Sequence, residues 1–284
     1  MLMHDLKKAI DAAMRHRLRD PIGETAFADF ASRCRKGAAQ GGKMRIYREQ
    51  NYDTMSERAA QIIGALVLQK PGCVLGLATG STPIGTYQRL IDAYEKRILD
   101  FSKVKTVNLD EYRGLDGTNK ESYRYYMNHN LFDHINIDKA NTHVPDGMAA
   151  DGAAAGRAYD EMMAELGGTD LQLLGLGQNG HIGFNEPGQF IAGTHVVKLT
   201  ESTIKANSRL FDDISQVPRE AITMGMRGIM TSREILLIAN GPKKAKALEA
   251  ALYGPITSDV PASILQLHPN LIVVCDEEAL PQMR

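Results

Sequence analysis

The stretch from Leu173 to Gly188, LLGLGQNGHIGFNEPG, decides how the rest of the chain reads. An apolar run, Leu171 to Leu176, enters it, and glycines at 175, 177, 180, 183 and 188 then break any regular element. A short apolar run that ends in glycines and polar side chains predicts a buried strand delivering a loop to its C-terminal end. In open α/β sheets that edge is where ligands bind. The loop carries Asn179, His181, Asn185 and Glu186. His181 and Glu186 come within reach of one another if the loop folds back, and a His oriented by a carboxylate is a common acid–base unit. A structural His in a tight loop is the plainer alternative. The surrounding Asn, Glu and Gly residues favour chemistry.

The same alternation extends outward in both directions. Upstream, Cys73 to Ala78 reads as a strand, followed by Thr79-Gly-Ser-Thr-Pro83 and a helix from Ile84 to about Lys96. Such a turn offers backbone N–H groups, a helix dipole and hydroxyls to a phosphate. It is also what an ordinary strand–helix turn with capping residues looks like. It matches neither the dinucleotide fingerprint nor a Walker loop. Val104 to Leu109 is the next strand, ending in Asp110 and Glu111, a carboxylate pair suited to acid–base chemistry. Asn119 to Asp133 reads as a helix with an aromatic face expected to serve the core. Asp151 to Leu166 is an Ala-rich helix leading into the central strand.

Downstream, Thr194 to Leu199 alternates like a strand. Glu201 to Phe211 is a helix whose Lys205 and Arg209 lie four apart on one face. Ala221 to Met224 and Glu234 to Ala239 are strands separated by a helical turn. Asn240-Gly-Pro-Lys-Lys244 opens a helix to about Tyr253, with Lys243 and Lys244 at an end where lysines are favoured only if an anion is present. Pro261 to Leu267 is a turn of helix and Leu271 to Cys275 the last strand. Strands alternating with helices predict an α/β fold: a mostly parallel sheet covered on both faces, a Rossmann-like three-layer sandwich.

Residues 1 to 43 stand apart from this domain, 44 to 284. Leu2, Leu6, Ile10 and Met14 fall at helical spacing, so Leu2 to Leu18 is expected to be helical, and Ser32 to Gly42 reads as a linker. Met44 to Tyr47 is a short strand, and Thr54 to Gln69 a helix with Thr54 and Glu57 as a candidate capping box.

Totals narrow the function. The 284 residues are 43% hydrophobic and 24% charged, ample for a buried core. A formal net charge of -1 supplies no field to recruit nucleic acid or an anionic membrane. Cys34, Cys73 and Cys275 lack a paired spacing, which fits reduced thiols in a cytoplasmic protein. No metal constellation is evident, His129 and His134 included, and no cofactor is expected. The residues therefore point to an enzyme acting on a phosphorylated small molecule by proton transfer.

From Met44 to about Glu278 the chain resembles the glucosamine-6-phosphate isomerase (deaminase) family. The resemblance rests on LGLATGSTPIGTY, NLDEYRGL, SYRYYMNHNLFDHINI, LLGLGQNGHIGFNEPG, THVVKLTESTIKANSRLF, VPREAITMGM and LQLHP, in order. It implies conversion of glucosamine 6-phosphate and water to fructose 6-phosphate and ammonia. It implies further that His181 opens the sugar ring, that Glu186 holds the imidazole, and that Asp110 moves a proton from carbon 2 to carbon 1. Glu111 would support Asp110, and Gly80, Ser81, Thr82, Arg209 and Lys244 would bind the phosphate. The helix carrying Lys205 and Arg209 matches a mobile lid. Asn179 replaces an Asp found in some members and can only hydrogen-bond. Gly193 to Val197 lacks the basic residues of members activated by N-acetylglucosamine 6-phosphate, so weak or absent activation is expected. The family includes monomers and symmetric hexamers, which leaves a homo-oligomer open. A 6-phosphogluconolactonase-like hydrolase and a non-catalytic sugar-phosphate sensor are the alternatives; NEPG and NLDEY speak against the first, and the intact acid–base residues against the second.

Overall fold

The computed structural model describes residues 44–207, 213 and 216–280. The expected helix and linker of residues 1 to 43, and Arg209, lie outside these residues.

The chain runs β1 (Arg45–Glu49), α1 (Tyr52–Gln69), β2 (Val74–Leu77), α2 (Ile84–Glu95), β3 (Lys105–Asn108), β4 (Asp110–Tyr112) and α3 (Tyr123–Asn130). It continues through β5 (Thr142–His143), α4 (Gly152–Glu165), β6 (Leu171–Leu174), β7 (His195–Lys198), α5 (Glu201–Asn207) and β8 (Glu220–Thr223). The last elements are α6 (Met226–Met230), β9 (Glu234–Ala239), α7 (Ala245–Tyr253) and β10 (Leu271–Asp276). Seven strands form a sheet in the order β1-β10-β9-β6-β2-β3-β5, and every pairing in it is parallel. All residues of β2, β6 and β10 are buried, which a sheet covered on both faces requires. The expected α/β architecture is therefore present.

Local signals explain the elements. In α1, Met55, Ala59, Ile63 and Val67 recur at helical spacing and are buried, and the helix packs on β10, β1 and β9. Its capping box is not Thr54 with Glu57. Asn51 is the N-cap, accepting from the Thr54 amide at 3.0 Å, while the Thr54 hydroxyl accepts from the Asn51 amide at 3.2 Å. The helix thus starts one residue after a better cap than the sequence reading chose. Asp151 caps α4 through the amides of Ala153 and Ala154.

A second sheet, β4-β8-β7, is antiparallel and was not expected. Asp110 to Tyr112, read from sequence as the polar tail of a strand, forms one of its strands. Leu109 joins the two sheets: its amide donates to Leu77 of β2 at 3.3 Å, and its carbonyl accepts from Met224 at 2.6 Å. The helix expected over Asn119 to Asp133 is shorter, because Ser122 caps α3 and a separate 3-10 turn spans Phe132–His134.

Strand order sets the position of the site. After β2 the chain moves toward β3 and β5, whereas after β6 it moves toward β9 and β10. Since β2 and β6 are neighbours, the strand order reverses between them. A crevice opens at such a point beyond the strands' C-terminal ends. The Gly80–Pro83 turn and the Gly175–Pro187 loop both emerge there.

Candidate functional site

The loop after β6 is closed by its own backbone. The Gly177 amide donates to the His181 carbonyl at 2.9 Å, and the Gly180 amide to Gly177 at 3.0 Å. This tight turn lays the His181 ring over Gly177, where any Cβ would lie 2.5 Å from ring carbons. Only glycine permits that approach. Asn185 braces the second half of the loop from a buried position, donating to the carbonyls of Ile182 and Met224 at 2.9 Å each.

Folding back brings His181 Nδ1 to 3.7 Å from Glu186 Oε2. That is longer than a hydrogen bond, and the contact is an ion pair only when the imidazole carries a proton on both nitrogens. Asn179 completes a triangle: its Nδ2 donates to Glu186 Oε2 at 2.8 Å and its Oδ1 accepts from the His181 amide at 3.2 Å. The other carboxylate oxygen is held from α5, where the Thr203 hydroxyl donates at 2.5 Å and Thr200 at 3.4 Å. Burial acts to raise the Glu186 carboxyl, but His181, Thr203 and Asn179 outweigh it and hold the group down at about 2. Glu186 is therefore ionised at any working pH.

Asp110 lies on the other side of the loop. Gly183, with φ 57, turns the chain so closely that a Cβ there would meet Thr223 Oγ1 at 3.0 Å and Asp110 Oδ2 at 3.3 Å. Asp110 is only 5% exposed. Among the described residues, no cation or hydrogen-bond donor meets its carboxyl. Burial, and then the neighbouring Glu111, push it up to about 8. Glu111 is buried as well. It accepts from the amides of Tyr112, Tyr123 and Arg124 at 2.8 to 2.9 Å, the last two opening α3. Burial raises Glu111, and these amides pull against that rise. The two adjacent carboxylates thus have different surroundings: Glu111 is tied to a helix N-terminus, and Asp110 has no hydrogen-bond donor or cation among the described residues.

Two turns meet on the near side of the crevice. The Thr82 hydroxyl donates to Asn240 Oδ1 at 2.8 Å, tying the turn after β2 to the turn after β9. Lys244 Nζ donates to the Leu176 carbonyl at 2.5 Å, so its ammonium lies against the base of the His181 loop. Lys243 and Lys205 are exposed. Gly80, Ser81, Thr82, Lys244, Asn179, His181, Glu186 and Asp110 therefore all emerge from the C-terminal side of the parallel sheet. Arg209 is outside the described residues.

Several residues in this region were not singled out from sequence. Thr203 and Thr200 reach Glu186 from a helix read only for its basic face; the i, i+3 spacing of two hydroxyls at a helix start was the available signal. Tyr126 and Tyr123 belong to the aromatic face expected to serve the core. Both do pack against the buried clusters, and in addition Tyr126 bonds the Gly80 carbonyl and Tyr123 stacks with Phe184 of the central loop at 5.9 Å. Among the described residues no cluster of three metal-ligating side chains occurs, and no helix is long and apolar enough to cross a membrane.

A parallel sheet that gathers the turns after β2 and β9, the His181–Glu186 pair and the buried Asp110 at one strand-order reversal is the arrangement of a ligand-binding α/β protein. The chain belongs to the family of glucosamine-6-phosphate isomerases and 6-phosphogluconolactonase, whose model matches residues 47–273. Within that family its similarity is to the deaminases. It is 59% identical over 233 residues to a glucosamine-6-phosphate deaminase of Lachnoclostridium phytofermentans, covering 82% of this chain and 99% of that protein. A deaminase of Clostridium perfringens is 53% identical over 237 residues, covering 83% and 98%. A solved structure of a monomeric glucosamine-6-phosphate deaminase superposes with a TM-score of 0.82 at 46% identity, covering 83% of this chain and 98% of that one. The 6-phosphogluconolactonase of Trypanosoma brucei shares the fold, with a TM-score of 0.66 at 19% identity.

Proposed function

We propose that this protein is an enzyme that converts glucosamine 6-phosphate and water to fructose 6-phosphate and ammonia. The observation that carries the reading is Asp110, a carboxyl buried without a cation beside the loop that pairs His181 with Glu186. A base that moves a proton between adjacent carbons works best with a pKa near the working pH, and burial brings Asp110 to that range.

In this reading His181 moves a proton between the anomeric hydroxyl and the ring oxygen, breaking the C1–O5 bond to give the open-chain aldehyde. Glu186, kept ionised, steadies the imidazole as it gains positive charge. Asn179 holds Glu186 in place and takes no proton. Asp110 then removes the C2 proton to give an enolamine and returns a proton to C1. The resulting C2 imine adds water and expels ammonia. Glu111 supports Asp110 by fixing the start of α3. Gly80, Ser81, Thr82 and Lys244 bind the phosphate, with Arg209 as a further cation. The α5 helix, bonded through Thr203 to Glu186, closes over the site and shields the open-chain intermediate from water. A cytoplasmic setting is part of the proposal, in keeping with the free thiols of Cys73 and Cys275.

The test is to follow ammonia and fructose 6-phosphate from glucosamine 6-phosphate with no added metal or nucleotide. Equal formation of both is expected. Hydrolysis of 6-phosphogluconolactone instead would replace the reading with the lactonase one, and tight sugar-phosphate binding without turnover would replace it with a sensor.

A further inference from the structure

The turn after β2 is held from behind by tyrosine hydroxyls on three different elements. Tyr87 of α2 donates to the Ala78 carbonyl at 2.5 Å and accepts from the Ala78 amide at 3.2 Å. Tyr126 of α3 donates to the Gly80 carbonyl at 2.6 Å. Tyr52, at the start of α1, donates to the Ser81 carbonyl at 3.2 Å and accepts from the Gly85 amide at 2.8 Å.

Peptide geometry gives these contacts a consequence. In a trans peptide the C=O of one residue and the N–H of the next point in opposite directions. A hydroxyl that fixes the Gly80 carbonyl therefore fixes the Ser81 N–H on the opposite side. The bond to the Ser81 carbonyl fixes the Thr82 N–H in the same way. These are the two amides of the turn read as the phosphate site. The tyrosines also draw off two carbonyl oxygens that would repel an anion. At its N-terminus α2 has no side-chain cap, so Tyr52 is the group that meets its Gly85 amide. Burial, followed by the nearness of Tyr52, raises the Tyr126 hydroxyl above its ordinary value, which keeps it a donor.

We propose that Tyr52 and Tyr126 are positioning residues for the substrate phosphate, orienting the Ser81 and Thr82 amides toward it without touching it. This rests on the reading of the Gly80–Pro83 turn as the phosphate site. It assigns a binding role to an aromatic helix face and to the first residue of α1, neither of which faces the reacting carbons.

The experiment compares Tyr52→Phe, Tyr126→Phe and the double variant with the parent enzyme, using Thr82→Ala and Lys244→Ala as reference variants. Phe keeps each ring in its packing, and a thermal melt checks the fold. Four constants are measured: kcat and KM for glucosamine 6-phosphate, and the inhibition constants of inorganic phosphate and of unphosphorylated glucosamine. Loss of one neutral hydrogen bond corresponds to about a threefold to tenfold change in binding. Each Phe variant is expected to raise KM and the phosphate inhibition constant together by about that factor, the double variant by more. kcat and the glucosamine constant should stay within about twofold of the parent, as uniform binding lost at a remote group requires. A fall in kcat at constant KM, or an equal weakening of glucosamine and phosphate, would overturn the proposal. If the reference variants weaken phosphate and the Phe variants do not, the tyrosines have no positioning role and the phosphate reading stands. If none of the five variants alters KM or phosphate inhibition, both fall.

Discussion

Two aspartates of this protein are equally buried, each 5% exposed, and they have opposite surroundings. Asp170 precedes β6 at the N-terminal edge of the parallel sheet. Lys70 Nζ donates to both its oxygens at 2.8 Å, the Val74 amide donates at 2.9 Å, and Arg233 pairs with it as well. Burial alone would raise it, but Lys70, Val74 and Arg233 outweigh burial and hold it below the ordinary range. Asp110, at the opposite edge, meets no cation or hydrogen-bond donor among the described residues, and burial and the neighbouring Glu111 raise it to about 8. The first carboxylate joins β6 to its neighbours and is satisfied by the fold. The second meets no donor or cation among the described residues, and a buried, raised acid in a crevice is a candidate for chemistry, the role proposed above for Asp110.

The comparison breaks most visibly if the two residues are exchanged in effect. Asp110→Asn is expected to lower kcat by about 10²- to 10⁴-fold while substrate still binds. Asp170→Asn is expected to leave kcat within about twofold and to cost about 1–3 kcal/mol in urea unfolding, because the Val74 amide loses its charged acceptor. The pH dependence separates them further. The native carboxyl of Asp110 holds its proton up to about pH 8 whereas the unfolded chain releases it near 3.8, so stability falls as pH rises through that window. Asp110→Asn should remove that fall and be the more stable protein at pH 8. For the same reason kcat/KM of the parent should climb toward pH 8 as Asp110 ionises. Turnover surviving in Asp110→Asn would overturn the base assignment.

A smaller effect sharpens the contrast on the other side of the loop. Glu186 is held at about 2, so its contribution is complete above the unfolded value of 4.5 and is lost as pH falls toward 2. Glu186→Gln should flatten the acid limb of the stability curve by about 2 kcal/mol. Thr203→Val should speed hydrogen exchange in α5 in the parent background but add little in a Glu186→Ala background, which has already lost the acceptor of that bond. Additive effects would mean that Thr203 and Glu186 are not linked. The smallest effect concerns regulation. Gly193 to Val197 presents no Lys or Arg, burial lowers the His195 imidazole, and Arg227, which approaches Gly193, is committed to Asp160 at 2.9 Å. N-acetylglucosamine 6-phosphate should therefore shift half-saturation by less than about twofold; a large leftward shift in the substrate curve would refute this.

Much of this architecture was legible because parallel strands advertise themselves. Glu234 to Ala239 is an unbroken apolar run after its first residue, and its bounds match the strand observed. The glycine loop after Leu171–Leu174 was legible for a related reason: glycines at close spacing mark positions where backbone and ring must nearly touch, as at Gly177. The antiparallel sheet was hidden because β4 has three residues and pairs with β8, more than a hundred positions away. No local period reveals such a pairing. Thr203 was hidden because its bond to Glu186 depends on how α5 docks, and tyrosines 52 and 126 because an aromatic stripe looks the same whether its hydroxyls meet solvent or a carbonyl.

Leu109 has a bearing on how the protein comes to be active. Its amide belongs to one sheet and its carbonyl to the other, so the next residue, Asp110, takes its final place only when both sheets have closed. One of those closures joins residues far apart in the chain, and such contacts form late because of the loop entropy they cost. A half-assembled chain can have nearly all its helices and still lack Asp110 in its final place. On the proposed reading of Asp110, turnover therefore requires both sheets to have closed around Leu109.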